Sequence, residues 1–178
     1  MRPFPAVREV IAMHATVEDL VRPALDTCPT LDRPDTVVSG PGAAVGGAVS
    51  RALEHRPVAA GAARAITRTV LEDWHVDQDA AQSVLLVVSE LVTNAVEHAL
   101  APVTLHLYRD RAAEVVWVGV TDGGPAQDDG AWTSSCTREE HGRGLALVEV
   151  LATSHGTRPH PGGTATHWAL LTVHEAPA

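Results

Sequence analysis

The hydrophobic positions recur at two spacings along the chain, one that winds into helices and one that lies flat in strands. From a cap at Asp77 or Asp79 to about Ala99, the residues Val84, Leu85, Val87, Val88, Leu91, Val92, Ala95 and Val96 return at intervals of three and four. Such spacing gathers apolar side chains on one broad face, so a long core helix is predicted there. A shorter helix is predicted through Ala63, Ile66, Val70 and Leu71 to about Trp74, with Pro57 in the first turn, where its missing N–H costs nothing. Gly142 to Ala152 returns to helical spacing through Leu145, Leu147, Val148 and Leu151.

Between these lie extended runs rich in β-branched and aromatic residues: Ala48 to His55, Val103 to Tyr108, Glu114 to Thr121, and Thr164 to Val173 after Gly162-Gly163. A turn at Arg109 to Ala113 makes the second and third of these neighbouring antiparallel strands. The order strand, helix, helix, strand, strand, loop, helix, strand predicts an α+β domain over residues 48–178, a two-layer sandwich of helices on a mostly antiparallel sheet.

Two stretches break the pattern. Residues 1–47 hold six of the twelve prolines and end in glycine-rich turns, which predicts a weakly structured extension with at most a short amphipathic helix from Val7 to Val21, stopped by Pro23. Gly40-Pro41-Gly42 begins like a dinucleotide fingerprint, but Val45 stands where a third glycine is needed. Residues 123 to 141, rich in Gly, Asp, Ser and Thr without apolar periodicity, read as a lid-like loop.

Charge narrows the chemistry. Thirteen basic against 22 acidic residues give a net charge of −9, which disfavours direct nucleic-acid or anionic-membrane binding. All thirteen basic residues are arginine. Without lysine the chain has no P-loop, no strand lysine of the eukaryotic protein-kinase type and no Schiff-base lysine. No run approaches the roughly 20 apolar residues that span a bilayer, and the start lacks a secretory signal, so a cytoplasmic protein with Cys28 and Cys136 as free thiols is expected. The ten histidines show no metal-ligand spacing with cysteine. Trp117 and Trp168, in strands, read as core residues, and Trp132, in the loop, as a partner contact.

Three groups of residues carry chemistry or have ordinary structural explanations. Glu90 and Asn94, four apart in the most apolar helix, share one face: a carboxylate that can take a proton and an amide oxygen that can ligate a hard cation, or else a polar stripe at the helix edge. Asp122 ends a strand before Gly123-Gly124, where it can accept a hydrogen bond from an exocyclic amine or simply form an Asp-Gly turn. Gly142-Arg143-Gly144-Leu145 opens a helix whose free N–H groups and dipole suit phosphate, with Arg143 adding charge.

In this order the pieces resemble the Bergerat-type ATP site of the GHKL superfamily of gyrases, heat-shock chaperones, histidine kinases and mismatch-repair ATPases. Ser89-Glu90-Leu91-Val92-Thr93-Asn94-Ala95-Val96-Glu97-His98-Ala99 is similar to its N box. Asp122-Gly123-Gly124-Pro125 and His141-Gly142-Arg143-Gly144-Leu145 are similar to its first two glycine boxes, and Gly163-Thr164-Ala165-Thr166 to the third. The size and the N-box wording are most similar to bacterial anti-sigma-factor serine kinases. The resemblance implies ATP and Mg²⁺ as ligands, Asn94 on the metal, Asp122 on the adenine amine, and Glu90 as base for an attacking serine. It also implies Gly124 at the close approach to nucleotide, Gly142 to Leu145 over the phosphates, and Thr164 or Thr166 at the adenine end. The partners it implies are a sigma factor and an anti-anti-sigma protein, with the chain itself a homodimer.

Ala126 departs from the family pattern, standing where a further glycine is frequent, and Asp128 and Asp129 add negative charge near the presumed phosphate end. These departures motivate an alternative, a catalytically inactive nucleotide-dependent module that sequesters a regulator. A histidine kinase fits less well, since no dimerisation helix pair with a phospho-acceptor histidine precedes the N box and His14 is a poor candidate.

Overall fold

A computed structural model describes residues 47–126 and 141–176. The expected extension over residues 1–47, apart from Gly47, lies outside the described residues, as do residues 127–140 of the expected lid, with Asp128, Asp129, Trp132 and Cys136.

The described chain runs β1 (Ala48–Leu53), α1 (Ala59–Asp73), α2 (Gln78–His98), β2 (Val103–Asp110), β3 (Val115–Asp122), α3 (His141–Leu151), β4 (Ser154–Pro159) and β5 (Ala165–Thr172). The strands form one sheet in the order β1-β2-β3-β5-β4, and each neighbouring pair is antiparallel. The fold is thus the expected α+β arrangement of helices on an antiparallel sheet.

Two differences have physical reasons. β1 ends at Leu53, two residues early, and the chain turns where the Arg56 amide donates to the Glu54 carbonyl. β4, absent from the expected order, reads Ser-His-Gly-Thr-Arg-Pro and is largely exposed. An edge strand of this kind carries no apolar alternation, because its backbone pairing with β5 holds it rather than burial.

Asp77 caps α2, its carboxylate accepting from the Asp79 and Ala80 amides at 3.0 and 3.1 Å. The Ala80 bond chiefly holds that carboxyl below its ordinary range. The eight apolar residues read from the sequence are all buried in α2, between α1 and the sheet.

Register decides which sheet residues meet the helices. Val116, Val118 and Val120 of β3 stand opposite Leu171, Ala169 and His167 of β5, and opposite Arg109, Leu107 and Leu105 of β2. The valines and leucines of this set, with Ala169, belong to the same core as the α2 residues. Asp122 continues the even-numbered series and therefore lies on the helix face. The odd-numbered residues Trp117, Gly119 and Thr121 face the other way. There the Trp117 ring lies over Gly119, where a Cβ would strike it, and the Trp168 ring lies against Gly156 at 3.2 Å from the Cβ position. Trp117 is buried and Trp168 half-buried.

Candidate functional site

Glu90 and Asn94 lie one turn apart on α2 and are both half-buried. The Glu90 carboxylate reaches α3: a Cβ placed on Gly144 would strike Glu90 Oε2. A carboxylate from the core helix thus stands in the first turns of a second helix, where unpaired N–H groups gather. Gly142 and Arg143 lie in the first turn of α3, and their side-chain surroundings fall outside the described residues. Leu145 is 54% exposed, so it is not held by the core.

The loop after β3 is tied to the end of α2 by three backbone hydrogen bonds. Gly123 N donates to Leu100 O at 2.7 Å, Leu100 N to Gly124 O at 2.8 Å, and Ala126 N to His98 O at 3.0 Å. A Cβ on Gly123 would strike the Ala101 carbonyl. Gly124 has φ +85° and lies against the Gly163 carbonyl, so a side chain there meets both strain and backbone. Ala126 needs no left-handed backbone. The missing glycine at that position therefore imposes no conformational penalty.

Asp122 is 1% exposed, and its two oxygens are treated differently. Oδ1 accepts from Gly124 N at 2.8 Å, which fixes the carboxylate plane. Oδ2 is buried and, among the described residues, has no hydrogen-bond partner. His167 Nε2 lies 3.3 Å from it, close enough for an ion pair but out of line for a hydrogen bond. A buried acceptor left open in this way is costly in isolation and suits a ligand that brings a donor.

Thr166 is placed differently. Its register partner is Thr121, while Asp122 pairs with Ala165, so the Thr166 hydroxyl and the Asp122 carboxylate are on opposite faces of the sheet. On that far face Ser50, His106, Thr121, Thr166 and His160 form one hydrogen-bonded chain across four strands, with successive separations of 2.8, 3.0, 2.7 and 2.7 Å. Burial, with His160 nearby, pushes the His106 pKa down to about 4, so the ring is neutral at pH 7. Thr164 contributes its carbonyl, which accepts from His160 N at 2.8 Å and closes the turn that presents Gly163.

The structure therefore brings together two clusters from the sequence reading: Glu90 with Gly144, and Asp122 with Gly124 and Gly163. Sequence reasoning missed His167. The signal was present in the alternation of β5, but only the register with β3 puts that histidine beside Asp122.

Residues 53–168 match the model of the histidine kinase-like ATPase domain, and the chain belongs to that family. Among solved structures it is similar to the RsbU and RsbW domains of Rv1364c from Mycobacterium tuberculosis, with 24% identity and a TM-score of 0.56. That likeness covers 74% of this chain and 33% of the other, so the match spans about a third of the mycobacterial chain, and what the two share is the fold. A comparison with curated proteins gives no match. Among the described residues, no helix is long and apolar enough to cross a membrane.

Proposed function

We propose that the chain is an ATP-dependent protein serine/threonine kinase that phosphorylates an anti-anti-sigma partner and thereby controls its own hold on a sigma factor. The observation that carries the nucleotide part is Asp122: one oxygen is fixed by Gly124 N and the other is buried and, among the described residues, unpaired. That acceptor fits an exocyclic amine such as the 6-amino group of adenine. The N-box wording, with Glu90 four residues before Asn94, supports the kinase and the sigma-factor pathway over other members of the family. A homodimer belongs to the same reading.

In this reading Asp122 Oδ2 accepts from the adenine amine, and Gly123 and Gly124 let the backbone come close. Of Thr164 and Thr166, Thr164 supports the adenine end through the turn that presents Gly163, since the Thr166 hydroxyl is committed to Thr121 and His160 on the far face. Gly142 to Leu145, with Arg143, lie along the phosphates at the start of α3. Asn94 offers an amide oxygen to Mg²⁺, a hard donor suited to that ion. Bound ATP and Mg²⁺ supply the phosphoryl group and neutralise its charge. Glu90 takes the proton of the substrate serine at a carboxylate oxygen as the serine oxygen bonds to the terminal phosphorus and the bond to the departing ADP oxygen breaks.

The test compares wild type with Glu90→Gln. Both are expected to bind ATP in calorimetry with Mg²⁺, and wild type alone to move labelled phosphate from ATP to a STAS-type anti-anti-sigma domain. Transfer by the variant at the wild-type rate would refute Glu90 as base. ATP binding by wild type without any transfer would favour the nucleotide-dependent binding module.

A further inference from the structure

Asp122 has a neighbour that the family resemblance does not account for. His167 of β5 stands with its Nε2 3.3 Å from Asp122 Oδ2, and its Nδ1 is hydrogen-bonded to Thr157 Oγ1 of β4 at 2.9 Å. Three adjacent strands thus supply a hydroxyl, an imidazole and a carboxylate in line on the helix face of the sheet. The carboxylate is 1% exposed and the imidazole 41%, so the histidine links a buried acceptor to solvent. A Thr157 hydroxyl donating to Nδ1 fixes the tautomer that carries its proton on Nε2, the atom facing Asp122.

We propose that His167 is a positioning residue for the nucleotide-recognising carboxylate: neutral and anchored by Thr157, it leaves Asp122 Oδ2 to an amino-purine, and protonated it draws that oxygen into an ion pair and weakens nucleotide binding. The inference rests on the ATP-site reading above. Competition is the physical reason. Among the described residues Oδ2 has no hydrogen-bond partner, so an incoming amine and a cationic imidazole seek the same unpaired acceptor. A charge-assisted partner already in the protein pays no association entropy, whereas the nucleotide does.

Among the described residues, the groups around His167 leave Asp122 as its nearest carboxylate. On β4 the same face carries His155 two residues before Thr157, and on β5 Ala165 and Ala169 flank His167. From α2, which packs over β5, Glu90 is directed to Gly144 and Glu97 lies 3.8 Å from His98. On α3 the carboxylate of Glu149 is at an exposed position. His160, nearby in sequence, bonds Thr166 on the opposite face.

The experiment is calorimetric titration of Mg²⁺-ADP into wild type, His167→Gln, Thr157→Val and Thr157→Ser at pH 8 and pH 6. Phosphate titration is common to all four proteins, so the difference between them isolates the histidine. Wild type is expected to lose more affinity than His167→Gln does between the two pH values. Thr157→Val is expected to bind more weakly at pH 8, and Thr157→Ser to restore the affinity. The same pH slope in wild type and His167→Gln would overturn the role of His167, as would an equal loss at both pH values, which is what a merely structural contact gives. Wild type that binds no adenine nucleotide at either pH would overturn the ATP-site reading and this inference with it.

Discussion

Gly144 lies so close to Glu90 that a Cβ at its position would strike the Oε2 atom of the carboxylate. The glycine on α3 and the carboxylate on α2 therefore define each other's place, although 54 positions separate them in the sequence.

From this contact follows the effect of Gly144→Ala. The atom that must give way is the end of a flexible side chain, and alanine favours a helix over glycine, so stability is expected to stay level or rise by up to about 1 kcal/mol. Phosphoryl transfer is expected to fall about 100-fold as Glu90 is displaced, the scale of a lost general base. Urea unfolding and a transfer assay on the same preparation check the two halves. A variant that is stable and fully active would remove the argument for the contact.

Gly124 and Gly163 separate backbone strain from collision. Both have positive φ, but a Cβ on Gly124 meets the Gly163 carbonyl, whereas a Cβ on Gly163 meets nothing within 4 Å among the described residues. Gly124→Ala is expected to cost about 3 kcal/mol and to abolish nucleotide binding, and Gly163→Ala to cost about 1 kcal/mol from strain alone. Denaturant unfolding of the two variants gives the order, and equal costs would show that the loop yields at the carbonyl.

His106 makes stability depend on pH. Its folded pKa of about 4 lies below the unfolded value of about 6.5, so the unfolded chain takes up the proton first as pH falls. The stability that comes from keeping the ring neutral is present above about pH 6.5 and is lost as pH falls from there toward 4. Between pH 7 and pH 5 the loss is about 2 kcal/mol. His106→Gln retains hydrogen-bonding groups for Ser50 and Thr121 without titrating, so its unfolding free energy is expected to fall by about 2 kcal/mol less than that of wild type over this interval. Identical losses would mean that the ring becomes charged without unfolding the chain.

Most of the element pattern was legible because it depends on local spacing. The face of α2 follows from residues three and four apart, its cap from Asp77 or Asp79, of which the structure uses Asp77, and β3 from a run of valines. The glycine boxes were legible for a related reason: a left-handed φ at Gly124 and a close approach at Gly123 demand glycine whatever lies elsewhere in the fold. β4 escaped because an exposed edge strand buries too little to leave a pattern.

By itself the sequence determined the helices, the antiparallel strands other than β4, and the ATPase family, and it offered candidate residues for a nucleotide site. Only the tertiary structure decided which of them meet. Register put Asp122 and His167 on the helix face and sent the Thr166 hydroxyl to the other, since one residue along a strand reverses the side. Helix-on-helix contact brought Glu90 to Gly144, a distance in space that no spacing along the chain encodes.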